Sequence, residues 1–289
     1  MSEESGSEFD AADLLGRVEA AAGKKVSSMT PVDGGYTQAV RRIVAFSDGG
    51  TAFLKGATDE RTSRWLIAEA NVYQQVNAGF LPDLLAVDLD DMPFLLLEDL
   101  TPCDWVPSWS TSRIDAVLGC LEDVRSTQAE LPEYGEMFTQ HGWHAVAVSP
   151  ESFLSMGLVT EAWLNDCLPI LIEAKDSVPT TGSDLLHLDL RSDNLCFRKG
   201  QAVLFDWNNA CFGNGEVDLG FWLPSLFHEG GPCPTDILPD SGGIAAYVTG
   251  YFAEVAGKPG DGRIRQLQRD MLSAGLAWMI KALRLPDPF

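Results

Sequence analysis

The sequence predicts an α+β protein of two lobes: a small antiparallel five-stranded sheet with one main helix, followed by a larger, mostly helical lobe. Three observations carry this. Short apolar blocks of strand length and one helical stretch fill the chain up to Asp99, helical texture dominates beyond Thr101, and two short apolar strands, "LCF" and "AVLFDW", return late around the turn "RKGQ". At 289 residues with 45% hydrophobic side chains, burial is not limiting, and either one two-lobed domain or two small ones is expected.

The elements follow in order. "MSEESGSE" lacks apolar content and is expected to be a loose tail over residues 1–9. Asp10 can cap a helix through "AADLLGRVEAAAG", with Leu14, Leu15 and Val18 on one face and Gly23 closing it. "VSSMTPV", "AVRRIVAF" and "TAFLKGA" read as strands, the last two joined by the turn residues "SDGG". The first two are joined by "DGGYTQ", where Gly34 and Gly35 allow backbone geometry and close approach that other residues resist. From Thr62, "TSRWLIAEANVYQQVNAG" places Leu66, Ala70 and Tyr73 at helical spacing and ends at Gly79. "LLAVDLDDMPFLLLEDL" supplies two more strands around an acidic turn, which completes the sheet and sets the lobe boundary near Asp99 and Leu100. The N-terminal lobe thus spans residues 10–99 and the C-terminal lobe 100–289, with helices expected in "RIDAVLGCLEDVRSTQAE", "EAWLNDCLPILIEAKDS" and "RIRQLQRDMLSAGLAWMIKAL".

Composition narrows the function. A net charge of −22 opposes binding to nucleic acid or anionic lipid, both of which demand a basic surface. The same charge suits a cationic small molecule, although acidity also serves solubility. No apolar run approaches the roughly 20 residues of a membrane span, and a cytoplasmic protein is expected. The six cysteines show no metal-binding or C-x-x-C spacing, which fits reduced structural thiols.

The segment "HLDLRSDNL" sets a histidine, two aspartates, an arginine and an asparagine among leucines. Such groups survive burial when hydrogen-bonded to one another, so a purely structural loop is one reading. Spacing offers another, because His187, Asp189 and Asn194 stand in the order H-x-D-x-x-x-x-N of a kinase catalytic base and its magnesium-holding asparagine. The strands that follow should form a hairpin centred near Lys199 and Gly200. Opposed residues in such a hairpin share an index sum near 400, which puts Asn194 about opposite Asp206. An amide oxygen and a carboxylate together suit magnesium carrying phosphates. Upstream, Lys55 lies inside the apolar strand "AFLKGA" and Glu69 follows 14 residues later on a helix, the pairing expected of a nucleotide-phosphate site. Taken alone, Lys55 reads better as a surface lysine with its stem buried. A G-x-x-x-x-G-K-[ST] loop is absent, which argues against a P-loop enzyme.

In motif order over roughly residues 30–225 the chain resembles the aminoglycoside phosphotransferase and choline kinase family, relatives of the protein kinases. The small glycine loop, Lys55, Glu69, "LLLEDL", "HLDLRSDNL", "LFDW" and "DLG" carry the likeness. The resemblance implies a protein-kinase-like fold and transfer of the γ-phosphate of ATP or GTP to a hydroxyl. It makes Asp189 the residue that orients or deprotonates the acceptor, and Asn194 and Asp206 the ligands of Mg2+. Lys55 would hold the α and β phosphates, braced by Glu69, near Gly34 and Gly35, while backbone groups near Glu98 and Leu100 would meet the purine. Asp218 would support the catalytic loop, and Arg191 would face the transferred phosphate or form a salt bridge within the loop. Two departures stand out: Leu188 occupies a position where these enzymes often have glycine, and the glycine loop is short. The acceptor is expected to be a small, amine-bearing compound, an aminoglycoside or similar antibiotic. A metabolic kinase of an amino alcohol, amino acid or sugar is the alternative, and a nucleotide-binding pseudokinase a further one.

Overall fold

In the computed structural model, the described residues are 11–35, 38–106 and 108–289. The expected N-terminal tail, the Asp10 cap, and Tyr36 and Thr37 of the glycine loop lie outside them. The strands are β1 (Val26–Pro31), β2 (Val40–Phe46), β3 (Thr51–Gly56), β4 (Leu84–Asp88), β5 (Phe94–Leu97), β6 (Asp104–Trp105), β7 (Asp184–Leu186), β8 (Leu195–Arg198), β9 (Gln201–Leu204) and β10 (Cys211–Gly213). The longer helices are α1 (Ala11–Ala22), α2 (Glu60–Gln75), α3 (Thr111–Arg125), α4 (Glu161–Asp176), α5 (Gly215–His228), α6 (Gly242–Val255) and α7 (Gly262–Leu283). They form two compact units. The first holds the chain up to Val106 together with Thr127–Leu131 and Asp193–Ala210, and the second holds the stretch ending at Ser126, Pro132–Ser192 and Cys211–Phe289.

The first unit is built on the antiparallel sheet β1-β2-β3-β5-β4. Strand period decides what each face carries. Val44, Phe46, Ala52, Leu54, Phe94 and Leu96 pack together with Leu14 and Val18 of α1, so even-numbered positions of β2, β3 and β5 face that helix. Leu15, expected on the same face, is exposed, because a buried helical stripe repeats at i and i+4 and leaves the next residue outside it. Lys55, on the opposite parity of β3, is thereby directed to the side of α2. That helix begins at Glu60, two residues before the expected start, because Asp59 and Thr62 form a capping box, and it ends at Gln75 with Val76 already extended. A second sheet, β6-β8-β9, completes this unit.

The β8-β9 hairpin closes through Lys199 and Gly200, with φ of 53° and 82°. Positive φ at both central residues is the mark of the two-residue turn that matches strand twist. The observed pairs, Leu195 with Leu204 and Cys196 with Val203, share an index sum of 399. Asn194 is therefore opposite Phe205 rather than Asp206, a displacement of one residue from expectation, and the Phe205 N–H donates to the Asn194 carbonyl at 3.1 Å.

The second unit is mainly helical, with β7 paired antiparallel to β10. Trp143, Trp222 and Trp278 are fully buried in it. Helix α5 lies so close to α6 that a Cβ at Gly220 would collide with Ile244 Cγ2, so a glycine is required at that crossing. No helix among the described residues is long and apolar enough to cross a membrane.

Candidate functional site

In the first unit the expected phosphate residues come together around Lys55. Its Nζ lies 2.5 Å from Glu69 Oε2 and 2.5 Å from Asp206 Oδ1. Lys55 is only 9% exposed and Glu69 1%, and Glu69 sits inside the buried stripe of α2 with Leu66, Ala70 and Tyr73. Tyr73 donates its hydroxyl to Glu69 Oε1 at 3.2 Å. Burial opposes the Lys55 ammonium, yet the Glu69 and Asp206 carboxylates outweigh it and hold the pKa above its ordinary value, so the lysine is charged at neutral pH. Burial pushes the Glu69 carboxyl up against the pull of Lys55, and the Asp206 charge adds to the rise. An isolated ammonium this deep would be costly, and the two carboxylates are what make it tolerable.

Asp206 follows β9 at φ 70°, a left-handed conformation that ends the strand. A continued strand would alternate Asp206 away from the face of Asn194, whereas the left-handed residue takes the chain out of the ladder. Asn194 closes a short 3-10 turn at Ser192–Asn194 and is buried. An amide oxygen and a carboxylate are hard donors and suit a divalent cation. Among the described residues no group of three or more His, Cys, Asp or Glu could hold a metal by itself. Such a donor pair fits magnesium whose shell phosphate oxygens would complete.

Glu98 and Leu100 follow β5. The Glu98 N–H donates to the Asp83 carbonyl at 2.8 Å, and the Leu100 carbonyl accepts from the Cys103 N–H at 2.9 Å. The Glu98 carboxylate pairs with Arg198 of β8. Arg198 also donates to the Gly79 carbonyl at 2.9 Å, so it ties the hairpin both to Glu98, where the purine contacts were expected, and to the segment after α2. Gly34 and Gly35 are exposed, with φ of 125° and 74°.

In the second unit Asp218, on the first turn of α5, organises the loop after β7. Its Oδ2 accepts the His187 N–H at 2.9 Å and its Oδ1 the Leu188 N–H at 2.7 Å. The Asp189 N–H in turn donates to His187 Nδ1 at 3.2 Å. Asp218 and His187 are both buried, and burial raises the Asp218 carboxyl pKa while the interaction with the His187 ring and the two N–H donors act against it. Leu188, at the position where glycine was anticipated, has φ 59°. The loop therefore uses the conformation glycine favours and holds a leucine in it with a hydrogen bond to Asp218. Arg191 donates to Asp189 Oδ1, the loop salt bridge that was one of its two expected roles.

One residue escaped the sequence reading. Arg41 on β2 pairs directly with Lys55 on β3. The pairs of this hairpin share an index sum of 96, centred on the "SDGG" turn, so the turn position alone carried the necessary information.

No family model and no curated protein sequence matches the chain. Solved structures do. An amicoumacin kinase in complex with AMP-PNP, Ca2+ and Ami superimposes with a TM-score of 0.57 at 13% identity, covering 96% of this chain and 96% of the other. A spectinomycin phosphotransferase in complex with ADP and spectinomycin gives 0.55 at 14% identity, covering 96% and 94%. A protein named as a fructosamine-3-kinase from Thermobifida fusca gives 0.54 at 17% identity, covering 91% and 98%. At such identities the likeness establishes the fold: the chain has the protein-kinase-like α+β architecture of these proteins.

Proposed function

We propose that the protein is a small-molecule kinase of the aminoglycoside phosphotransferase and choline kinase type, which transfers the γ-phosphate of ATP or GTP to a hydroxyl of an amine-bearing compound in the cytoplasm. The observation that carries this reading is the buried Lys55, held by Glu69 of α2 and Asp206 at the end of β9. A structural ion pair needs one partner. A lysine gripped by two carboxylates, one of them on a hairpin end that also bears Asn194, is suited to exchanging one of them for phosphate. The amicoumacin kinase and spectinomycin phosphotransferase with this fold, solved with AMP-PNP and ADP respectively, support a nucleotide as the partner.

In this reading Lys55 stays braced by Glu69 and turns its charge to the α and β phosphates. Asn194 and Asp206 would hold Mg2+ with the phosphate oxygens, and the ion would neutralise charge on the transferred group. The purine falls to the Glu98 carbonyl and the Leu100 N–H, because the Glu98 N–H and the Leu100 carbonyl already have backbone partners. Asp189, on a loop fixed by Asp218 and His187, orients the acceptor hydroxyl and takes its proton. The hydroxyl oxygen then forms a bond to the γ-phosphorus, the bridging bond to the nucleoside diphosphate breaks, and the products are a phosphate ester and the diphosphate. Arg191 shares the Asp189 carboxylate and adds positive charge beside it.

The acceptor class, an aminoglycoside or similar cationic antibiotic, rests on the −22 charge and on the acceptors in the names of proteins with this fold. The test is a panel of aminoglycosides, amino alcohols, amino acids and neutral sugars, each incubated with ATP or GTP and magnesium. Diphosphate release together with a phosphorylated amine-bearing product is the expected result. Nucleotide binding without transfer to any acceptor would leave a pseudokinase, and transfer to a neutral sugar would move the protein to the metabolic alternative.

A further inference from the structure

Arg41 and Lys55 face each other across the β2-β3 ladder, and opposed residues of an antiparallel pair project from the same face of the sheet. The Arg41 guanidinium rests on the backbone of Gly35. A Cβ built there would stand 2.5 Å from Arg41 Nη2 and 2.7 Å from Cζ, so a side chain at this position would push the guanidinium aside, and the φ of 74° at Gly35 is itself one that other residues rarely adopt. Arg41 Nη1 also donates to the Ala39 carbonyl at 3.2 Å. Burial draws the Arg41 pKa below its ordinary value, and the Asp206 and Glu69 charges work against that fall. A second cation thus stands beside Lys55, within the field of the same two carboxylates and against Gly35. With Arg41 counted, two cations face the two carboxylates Glu69 and Asp206, so a polyphosphate bound there meets no net negative charge from these four side chains, whereas Lys55 alone would leave one.

We propose that Arg41 is a phosphate-binding residue of the nucleotide site, gripping the polyphosphate through its forked guanidinium where Gly35 lets it lie against the backbone. The planar fork matches phosphate oxygens better than a point charge does. The short glycine loop has no G-x-G-x-x-G pattern to wrap the phosphates with backbone N–H groups, and Arg41 supplies that contact from the neighbouring strand. The inference rests on the nucleotide reading above.

Calorimetric titration with AMP-PNP and GMP-PNP plus magnesium, and with adenosine and guanosine, tests both statements separately. Arg41→Ala and Arg41→Gln should weaken the triphosphate that the wild type prefers by about 10- to 100-fold and leave its nucleoside affinity unchanged, with Arg41→Lys recovering part of the loss. Gly35→Ala should move in the same direction by displacing the guanidinium, and it serves where an Arg41 variant fails to fold. An Arg41→Gln protein with unchanged thermal unfolding and triphosphate affinity within about twofold of wild type would overturn the inference. So would equal losses for triphosphate and nucleoside, the mark of a merely structural arginine. A wild type that binds nucleoside and triphosphate equally would remove the phosphate site altogether, and one that binds neither would remove the nucleotide reading itself.

Discussion

Lys199 holds an ordinary side chain at φ 53° in a turn whose geometry favours asparagine or glycine. It is exposed, so little but backbone strain is at stake, and Lys199→Asn should stabilise the protein by about 1 kcal/mol, read as a higher urea midpoint at unchanged slope. Leu188 and Asp206 share that left-handed conformation at φ 59° and 70°, but each lies among the polar residues of the candidate site, where strain is maintained by surrounding bonds. For the buried ion pair the prediction is coupling. Lys55→Ala and Glu69→Ala should each impair turnover, and the double variant should cost less than their sum by about 0.5–3 kcal/mol, because each single change strands a buried charge. A thermodynamic cycle built from kcat/KM reads this directly, and strict additivity would refute it. Asp189→Asn should lower kcat by about 10²- to 10⁴-fold while nucleotide affinity, followed by titration, stays at the wild-type value.

Helix α2 shows how a local device serves the site from a distance. Asp59 accepts the Thr62 N–H at 2.7 Å and its hydroxyl at 2.8 Å, and these donors hold the Asp59 carboxyl below the usual carboxylate range. The helix so started carries Glu69 ten positions on to Lys55. Asp59→Ala should cost about 1 kcal/mol. A depressed folded pKa gives stability that is present above the unfolded value of about 3.9 and is lost as pH falls through the folded value. Asp59→Asn keeps a capping oxygen without the titration. The advantage of wild type over Asp59→Asn in urea unfolding should therefore be constant above about pH 5 and shrink below about pH 3.9, and an advantage that grows on acidification would contradict the cap assignment.

Across the whole molecule, the acidic residues outnumber the basic by 42 to 20. A protonated amine acceptor gains from such a field through steering as well as contact, and salt removes the gain as the screening length falls below about 8 Å. The KM for a cationic acceptor should rise with ionic strength beyond physiological salt, while that of a neutral polyol stays level. Steady-state kinetics across a salt series decides it, and a salt-independent amine would remove charge from the account of specificity. The same scale limited what could be read in advance. Helices α5 and α6 are buried almost all round, so neither shows the one-sided apolar stripe by which a helix is read from sequence. Strands β7 and β10 are three residues each, too short to show a period of their own.

What the chain determined by itself was local or nearly so. Strand and helix periods, the "SDGG" and "RKGQ" turns, and the order of Lys55, Glu69, Asp189, Asn194 and Asp206 act over a few residues or are simply written in the line. The tertiary structure decided the rest, because it depends on pairing register and on contacts between residues remote in the chain. An index sum of 399 in place of 400 moved Asn194 opposite Phe205, and the chain leaves the ladder at the left-handed Asp206, whose carboxylate meets the Lys55 ammonium 151 residues away. Arg41 came beside Lys55 for the same reason: a hairpin register paired the two, and the missing side chain of Gly35 left its guanidinium room against the backbone.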